Sequence, residues 1–184
     1  WHEQGDGTFF YGFNVENGRL FDSDDRRWKS ALRQICAELS PGIHLTPHQS
    51  ILFSGIAAEN REKLESIIKS HGLPLSEDIS TVRRWSMACV ALPTCGLAVT
   101  ESERALPGVI DQLEGELARL GLSSDRFTIR MTGCPNGCAR PYNPDVGLVG
   151  KAKGRYTVFL GGRLLGNRLN FIYQDLVPAD QIVP

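Results

Sequence analysis

Four cysteines in two close pairs carry the densest chemistry in this chain. Cys89 and Cys95 have five residues between them and Cys134 and Cys138 have three, the second pair lying inside "MTGCPNGCARPY" (Met131 to Tyr142). A thioredoxin-like redox site needs only one pair, with two residues between. Structural zinc favours two to four residues inside each pair, which the first pair exceeds. A cubane iron–sulfur cluster spreads its iron corners over a larger object, and four thiolates from two loops can reach them. The spacing therefore favours a cluster and keeps zinc as the alternative. A fifth cysteine, Cys36, lies beside a helical apolar stripe and reads as a buried structural thiol. The N-terminal "WHEQGDGTFF" has neither a charged n-region nor an apolar h-region, so a disulfide framework is the weaker reading.

The residues around the pairs fit loops that hold such a group. Pro93, Gly96, Gly133, Pro135 and Gly137 allow tight turns that aim thiolates inward and leave backbone N–H groups open near sulfide. Between Ala139 and Arg168 six basic residues (Arg140, Lys151, Lys153, Arg155, Arg163, Arg168) face one acidic residue, Asp145. That is a cationic wall for a polyanionic cofactor or a small oxyanion, or else an ordinary solvated basic face.

The elements that must position these loops are read from periodicity. Apolar stretches flank Asn17-Gly18, a hairpin signal, and from Asp24 or Asp25 as a cap Trp28, Leu32, Ile35 and Leu39 recur at helical spacing until Pro41-Gly42. "IHLTPHQSILFSGI" reads as extended segments broken at Pro47, and "NREKLESIIKSHG" as a helix with Leu64, Ile67 and Ile68 inward. The connector "LPLSEDIS" marks a boundary. Beyond it Thr100 and Glu103 form a possible capping box for a helix with Ile110, Leu113, Leu117 and Leu120 as its stripe and Gly121 as its stop. "RFTIRM" alternates as a strand leading into the second cysteine pair, and "DVGLVG", "RYTVFLGG" and "RLNFIY" follow as short strands.

Composition bounds the class. With 184 residues, 41% hydrophobic and 22% charged, the chain can bury one sizeable core or two small ones. A net charge of -1 argues against bulk nucleic-acid binding, and no run approaches the roughly 20 apolar residues of a membrane span, so a soluble protein is expected. The opening Trp1 and the close at "QIVP" lead to the expectation of a piece of a longer polypeptide.

At "TGCPNGC", preceded by "SMACVALPTC" and followed by "VGLVGKAKGRY", the sequence resembles the C-terminal half of the sulfite and nitrite reductases that use sirohaem. Both cysteine pairs and the intervening helix agree, and "LTPHQS" (Leu45 to Ser50) is similar to the family's Thr-any-any-Gln element, with His48 and Ser50 as departures. The resemblance covers essentially the whole chain. It implies an α+β fold: a ferredoxin-like half-domain over 1–76, then a 4Fe-4S and sirohaem-binding domain over 77–184 with a mixed sheet and helices.

It also implies a site. Cys89, Cys95, Cys134 and Cys138 would hold a 4Fe-4S cluster, Cys138 also serving as proximal ligand of sirohaem iron and so as the catalytic residue. Gln49, Asn136, Arg83, Arg140, Lys151 and Arg155 would contact the cofactors, while His48 reads as an ordinary loop histidine. The implied activity is the six-electron reduction of sulfite to sulfide by an assimilatory-type enzyme of which this chain is a fragment. A ferredoxin-nitrite reductase fragment and a non-catalytic zinc-binding module are the alternatives. Implied partners are sulfite or nitrite, the N-terminal half of the same enzyme with most substrate-gripping residues, and ferredoxin or a flavoprotein as donor, "ARPY" leaning to ferredoxin. Neither nucleic acid nor membrane is expected, and the location would be the cytoplasm, or the plastid in a photosynthetic eukaryote.

Overall fold

Tyr11 and Phe13 are buried on one side of a short strand and Gly12 between them is exposed, the period-two alternation of a sheet with one covered face. In the computed structural model, which describes residues 1–183, the chain divides into two compact units, Trp1–Ile79 and Ser80–Pro184. The first contains β1 (His2–Glu3), β2 (Phe9–Phe13), α1 (Trp28–Leu39), β3 (Gly42–Leu45), β4 (Ile51–Ile56) and α2 (Arg61–Ser70). Its four strands form an antiparallel sheet in the order β1-β2-β4-β3.

The helices supply the other side of the core. Trp28, Ala31 and Ile35 of α1 and Leu64, Ile67 and Ile68 of α2 pack with Tyr11, Phe13, Ile51 and Phe53. Phe13 lies 5.2 Å from Trp28 and 5.6 Å from Phe53 between ring centroids, so aromatic contacts centre the cluster. Cys36, one position beyond Ile35, is half-buried rather than fully buried.

Two local expectations are corrected. Asn17 and Gly18 take positive φ (51° and 70°), as such a turn requires, yet they form a 3-10 turn and no hairpin. The reason is competition for the strand edge: β4 occupies the edge of β2 from Phe9 to Phe13, where the returning strand of a hairpin would lie. Helix α1 begins at Trp28, and its capping carboxylate is Asp22 instead of Asp24 or Asp25. Asp22 Oδ1 accepts from Lys29 N at 2.7 Å and Ser30 N at 3.3 Å, two of the amides a helix start leaves open.

The second unit holds α3 (Thr81–Arg84), β5 (Ser86–Ala88), α4 (Leu106–Leu120), β6 (Ile129–Thr132), β7 (Val146–Ala152), β8 (Arg155–Leu160) and β9 (Phe171–Pro178). The sheet runs β5-β6-β7-β8-β9, parallel across the first two pairings and antiparallel across the last two. Helix α4 crosses over between parallel β5 and β6, burying Leu106, Val109, Ile110 and Leu117 against Ile129, Met131 and Leu148. Leu120, expected in that stripe, is exposed. Gly121 ends the helix at φ 72° as expected.

The capping box at Thr100 and Glu103 is not made, because the helix starts later, with Pro107 in its first turn. Thr100 Oγ1 instead donates to the Tyr156 hydroxyl and accepts from Gly154 N. At the far edge, β9 leaves Phe171, Ile172, Tyr173 and Leu176 exposed. No helix among the described residues is long and apolar enough to cross a membrane.

Tyr11 closes the first unit onto its own C-terminal segment. Its hydroxyl donates to Glu77 Oε2 at 2.8 Å and accepts from Ser76 N at 2.9 Å. Burial, helped by Glu77, pushes the phenol well above its ordinary value of 10.0. A folded-state pKa above the unfolded one gives stability that is complete below about pH 10 and lost as pH rises through the native value. Tyr11→Phe should cost about 1–3 kcal/mol in urea denaturation at neutral pH, and it should remove part of the wild type's strongly alkaline loss of stability.

Candidate functional site

Parallel β5 and β6 are in register, Ala88 opposite Met131, so the two strands end side by side. Cys89 leaves the end of β5 while Gly133 and Cys134 leave the end of β6, which brings one member of each cysteine pair to the same sheet end. Cys89 N donates to Met131 O at 3.1 Å, prolonging the ladder by one bond.

Gly133 then joins the loops. Its N–H donates to Cys89 Sγ at 3.4 Å, and its carbonyl accepts from both Val99 N (2.9 Å) and Thr100 N (3.2 Å) at the end of the Cys95 loop. A Cβ there would fall 2.6 Å from Ala91 Cβ and from the Thr100 carbonyl oxygen, so only glycine allows the approach. The expectation that small residues free N–H groups for sulfur is met at this position.

Each remaining cysteine has its own support. Cys95 N donates to Ala91 O at 2.7 Å and Ala98 N donates to Cys95 O at 3.2 Å, a tight local turn. Ser102, fully buried, donates to Met131 O at 2.7 Å, and Glu103 N donates to Cys89 O at 3.1 Å, returning the first loop to the sheet. In the second loop Gly137 has φ 72° and its carbonyl accepts from Arg140 N at 2.7 Å. Cys134 is buried, Cys89 and Cys95 are half-buried and Cys138 is exposed; all are free thiols. Among the described residues no three His, Cys, Asp or Glu side chains converge tightly enough for a single ion.

Two tyrosines frame these loops as hydrogen-bond donors. Tyr142 donates to Pro135 O at 2.9 Å and Tyr156 to Glu101 O at 2.8 Å. Burial raises the pKa of both, with Cys134 adding to it at Tyr142, and Glu101 and Cys89 at Tyr156. Both phenols therefore keep their protons at neutral pH.

The other expected site residues fall into three settings. Arg140, exposed, lies two residues past Cys138 with φ 54° and its Nη2 3.9 Å from Met87 Sδ, while Asn136 is exposed inside the Cys134 loop. Lys151 and Arg155 flank the β7–β8 hairpin, which reaches the first cysteine loop through Gly154 N and Thr100 Oγ1 at 3.0 Å. Their side chains turn toward β9: Lys151 Nζ lies 3.9 Å from Asp175, and Arg155 Nη1 donates to Leu176 O at 3.1 Å. Arg83 donates to Glu114 and Asp111, which neutralise its charge within the fold. That ion pair also holds the Glu114 carboxyl below its usual range.

Gln49 belongs to the first unit and is described there. It has φ 60° and lines a cavity of about 310 Å³ with Val15, Asn17, Gly18, Thr46 and Ser50. Thr46 shapes the turn, its Oγ1 accepting from Ser50 N at 3.1 Å and its carbonyl from Gln49 N at 3.1 Å. His48 sits in the same turn.

Sequence reasoning missed Ser102, Gly150 and Arg130. Gly150 backs Gly133, where a Cβ would lie 2.5 Å from the Gly133 carbonyl carbon. Arg130 is buried inside β6, and period-two alternation had no means of telling a covered second face from a solvated one.

The chain comprises an antiparallel α+β unit and a mixed-sheet unit whose strand ends present two linked cysteine loops. Residues 2–71 match the nitrite/sulfite reductase ferredoxin-like half domain. The first unit thus carries a half domain of the nitrite and sulfite reductase family. It is 44% identical over 98% of its length to the sulfite reductase [NADPH] hemoprotein beta-component of Staphylococcus saprophyticus, covering 32% of that protein. It is also 44% identical over 100% of its length to the same component from Nitrobacter winogradskyi, again covering 32%. The Mycobacterium tuberculosis NirA protein superposes with a TM-score of 0.69 at 25% identity, over 83% of this chain and 30% of that one. The chain thus spans about a third of the length of the curated relatives it matches.

The locking role of Gly133 has a direct test. Gly133→Ala should destabilise the second unit by about 1–3 kcal/mol through overpacking, whereas Gly96→Ala, where a Cβ meets nothing within 4 Å, should stay within about 0.5 kcal/mol of wild type. Equal effects in chemical denaturation would show that the two loops are not clamped through Gly133.

Proposed function

We propose that this chain is the cluster-bearing part of a sulfite reductase haemoprotein, with Cys89, Cys95, Cys134 and Cys138 holding a 4Fe-4S cluster and Cys138 also ligating sirohaem iron. The observation that carries the reading is the Gly133 clamp, which joins the two cysteine loops and sets an N–H on Cys89 Sγ at 3.4 Å. The residues fit the group: four free thiols on two glycine-rich loops, with a backbone donor on sulfur of the kind that tunes cluster potential. When bound, cluster and sirohaem supply the electron relay and the iron at which sulfite is reduced to sulfide.

This chain's own residues bind and orient. Cys138, the exposed thiol, would be the ligand shared between the two groups, as the family resemblance implies, and it lies inside the turn closed by Arg140 N and Gly137 O. Asn136 and Arg140 supply a donor and positive charge beside the second cysteine loop for macrocycle carboxylates, whereas Lys151 and Arg155, also expected there, are engaged at β9. Gln49 keeps only the role that the resemblance implies, a macrocycle contact. Arg83 serves chiefly to fasten α3 to α4 through Asp111 and Glu114.

Sulfite is the favoured substrate, supported by the names of the curated relatives, and nitrite is the runner-up with the same cofactors. The remainder of the enzyme supplies most groups that grip the oxyanion. The relatives are named for NADPH, which favours a flavoprotein route over the ferredoxin route that "ARPY" suggests. A cytoplasmic setting accords with this reading.

Two measurements test it. Iron, zinc and acid-labile sulfide analysis with an absorption spectrum should give about four irons per chain and broad absorption near ~400 nm after anaerobic reconstitution; zinc without iron would favour a binding module. In the complete enzyme, Cys138→Ser should abolish sulfite reduction, while Cys36→Ala should keep full cluster content. Wild-type turnover in the serine variant would overturn the ligand assignment.

A further inference from the structure

Strand β6 carries a cation where burial is nearly complete. Arg130 is 1% exposed, and among the described residues its Nε has no hydrogen-bond partner. One terminal nitrogen, Nη1, donates to Asn143 Oδ1 at 2.5 Å and to Arg140 O at 3.3 Å. Among the described residues no carboxylate pairs with it, and the cation Arg140 lies near it. Burial, helped by Arg140, lowers its pKa to about 10, which leaves it cationic at neutral pH.

Removing a guanidinium from water without a counter-charge is costly, so buried cations are normally paired. What Arg130 does touch is the segment just after Cys138. Arg140 and Asn143 belong to a turn that Asn170 also fastens, through Pro141 O at 2.7 Å and Tyr142 O at 2.9 Å. Asn143 in turn donates to Leu164 O at 3.2 Å. Cys138 itself is exposed, so the neighbouring Ala139, 2% exposed, and this turn hold it in place. Arg130 also stands four residues before Cys134, no more than about 13 Å along the chain at ~3.3 Å per residue, a range over which a charge buried in a low-dielectric interior still acts on an anionic group.

We infer that Arg130 is the positioning residue for Cys138, tying the turn after that cysteine to β6, and that its unpaired charge is matched by the anionic thiolate cluster. The charge half rests on the cluster reading above, whereas the anchoring half stands on this chain alone. A fixed positive charge near a cluster stabilises its more negative, reduced form and raises its potential. Arg130 therefore couples the geometry of the exposed ligand to the ease of reducing the centre.

Arg130→Met, Arg130→Lys and Asn143→Ala separate the two halves. In the metal-free chain, amide hydrogen exchange at Arg140 to Asn143 should be roughly tenfold faster in the Met and Ala variants, as expected for a lost bond to a charged donor, with β8 amides unchanged. In the reconstituted protein the cluster potential should fall in Arg130→Met, return most of the way in Arg130→Lys, and stay near wild type in Asn143→Ala. Wild-type exchange in both Arg130→Met and Asn143→Ala overturns the anchoring. An unshifted potential in Arg130→Met, or equal shifts in Met and Lys, overturns the charge role. If Arg130→Met does not fold, Lys and Asn143→Ala still decide the anchoring through exchange. A wild-type chain that takes up no iron sinks the cluster reading and the charge half with it, while the exchange comparison still decides the anchoring.

Discussion

The two cysteine loops at the end of the second unit's sheet depend on one residue. Gly133 gives its N–H to Cys89 and its carbonyl to Val99 and Thr100, so a single residue binds the strand end, the first loop and the second loop. Without a side chain it admits Ala91 and Thr100 to distances no other residue tolerates, and Gly150 makes room behind it. The parallel register of β5 and β6 delivers the two loops to the same place, and the glycine converts that neighbourhood into a joint.

The two units solve different problems with different sheets. The first is antiparallel and closes one face over α1 and α2 around Phe13, Trp28 and Phe53, with Tyr11 fastening its end through Ser76 and Glu77. The second needs strand ends, and parallel pairing is what supplies them, because β5, β6 and β7 all run toward the cysteine loops. The change to antiparallel pairing at β8 folds a hairpin back against Thr100, and the same edge then carries Lys151 and Arg155.

Sequence reasoning reached the parts where one residue type leaves few physical options. Helical spacing at Trp28, Ile35, Leu64 and Ile110 matches the buried faces, and the two cysteine pairs flanked by glycine and proline lie on loops that Gly133 joins. It failed where the outcome depends on which distant partner wins. Asn17-Gly18 adopts its expected backbone, but β4 takes the strand edge; Thr100 has a capping side chain, but Tyr156 and Gly154 engage it. Arg130 was read past because an arginine in an alternating strand normally faces water, and only the turn at Arg140 to Asn143 covers it.

The outer strand of the second sheet bears on handling the protein. Strand β9 is eight residues long, lies at the sheet edge, and leaves Phe171, Ile172, Tyr173 and Leu176 in solvent. An open edge with apolar side chains is a template on which another chain can add a strand. This edge lies at the opposite side of the sheet from β5, so charged replacements along β9 would blunt it while leaving the cysteine loops untouched.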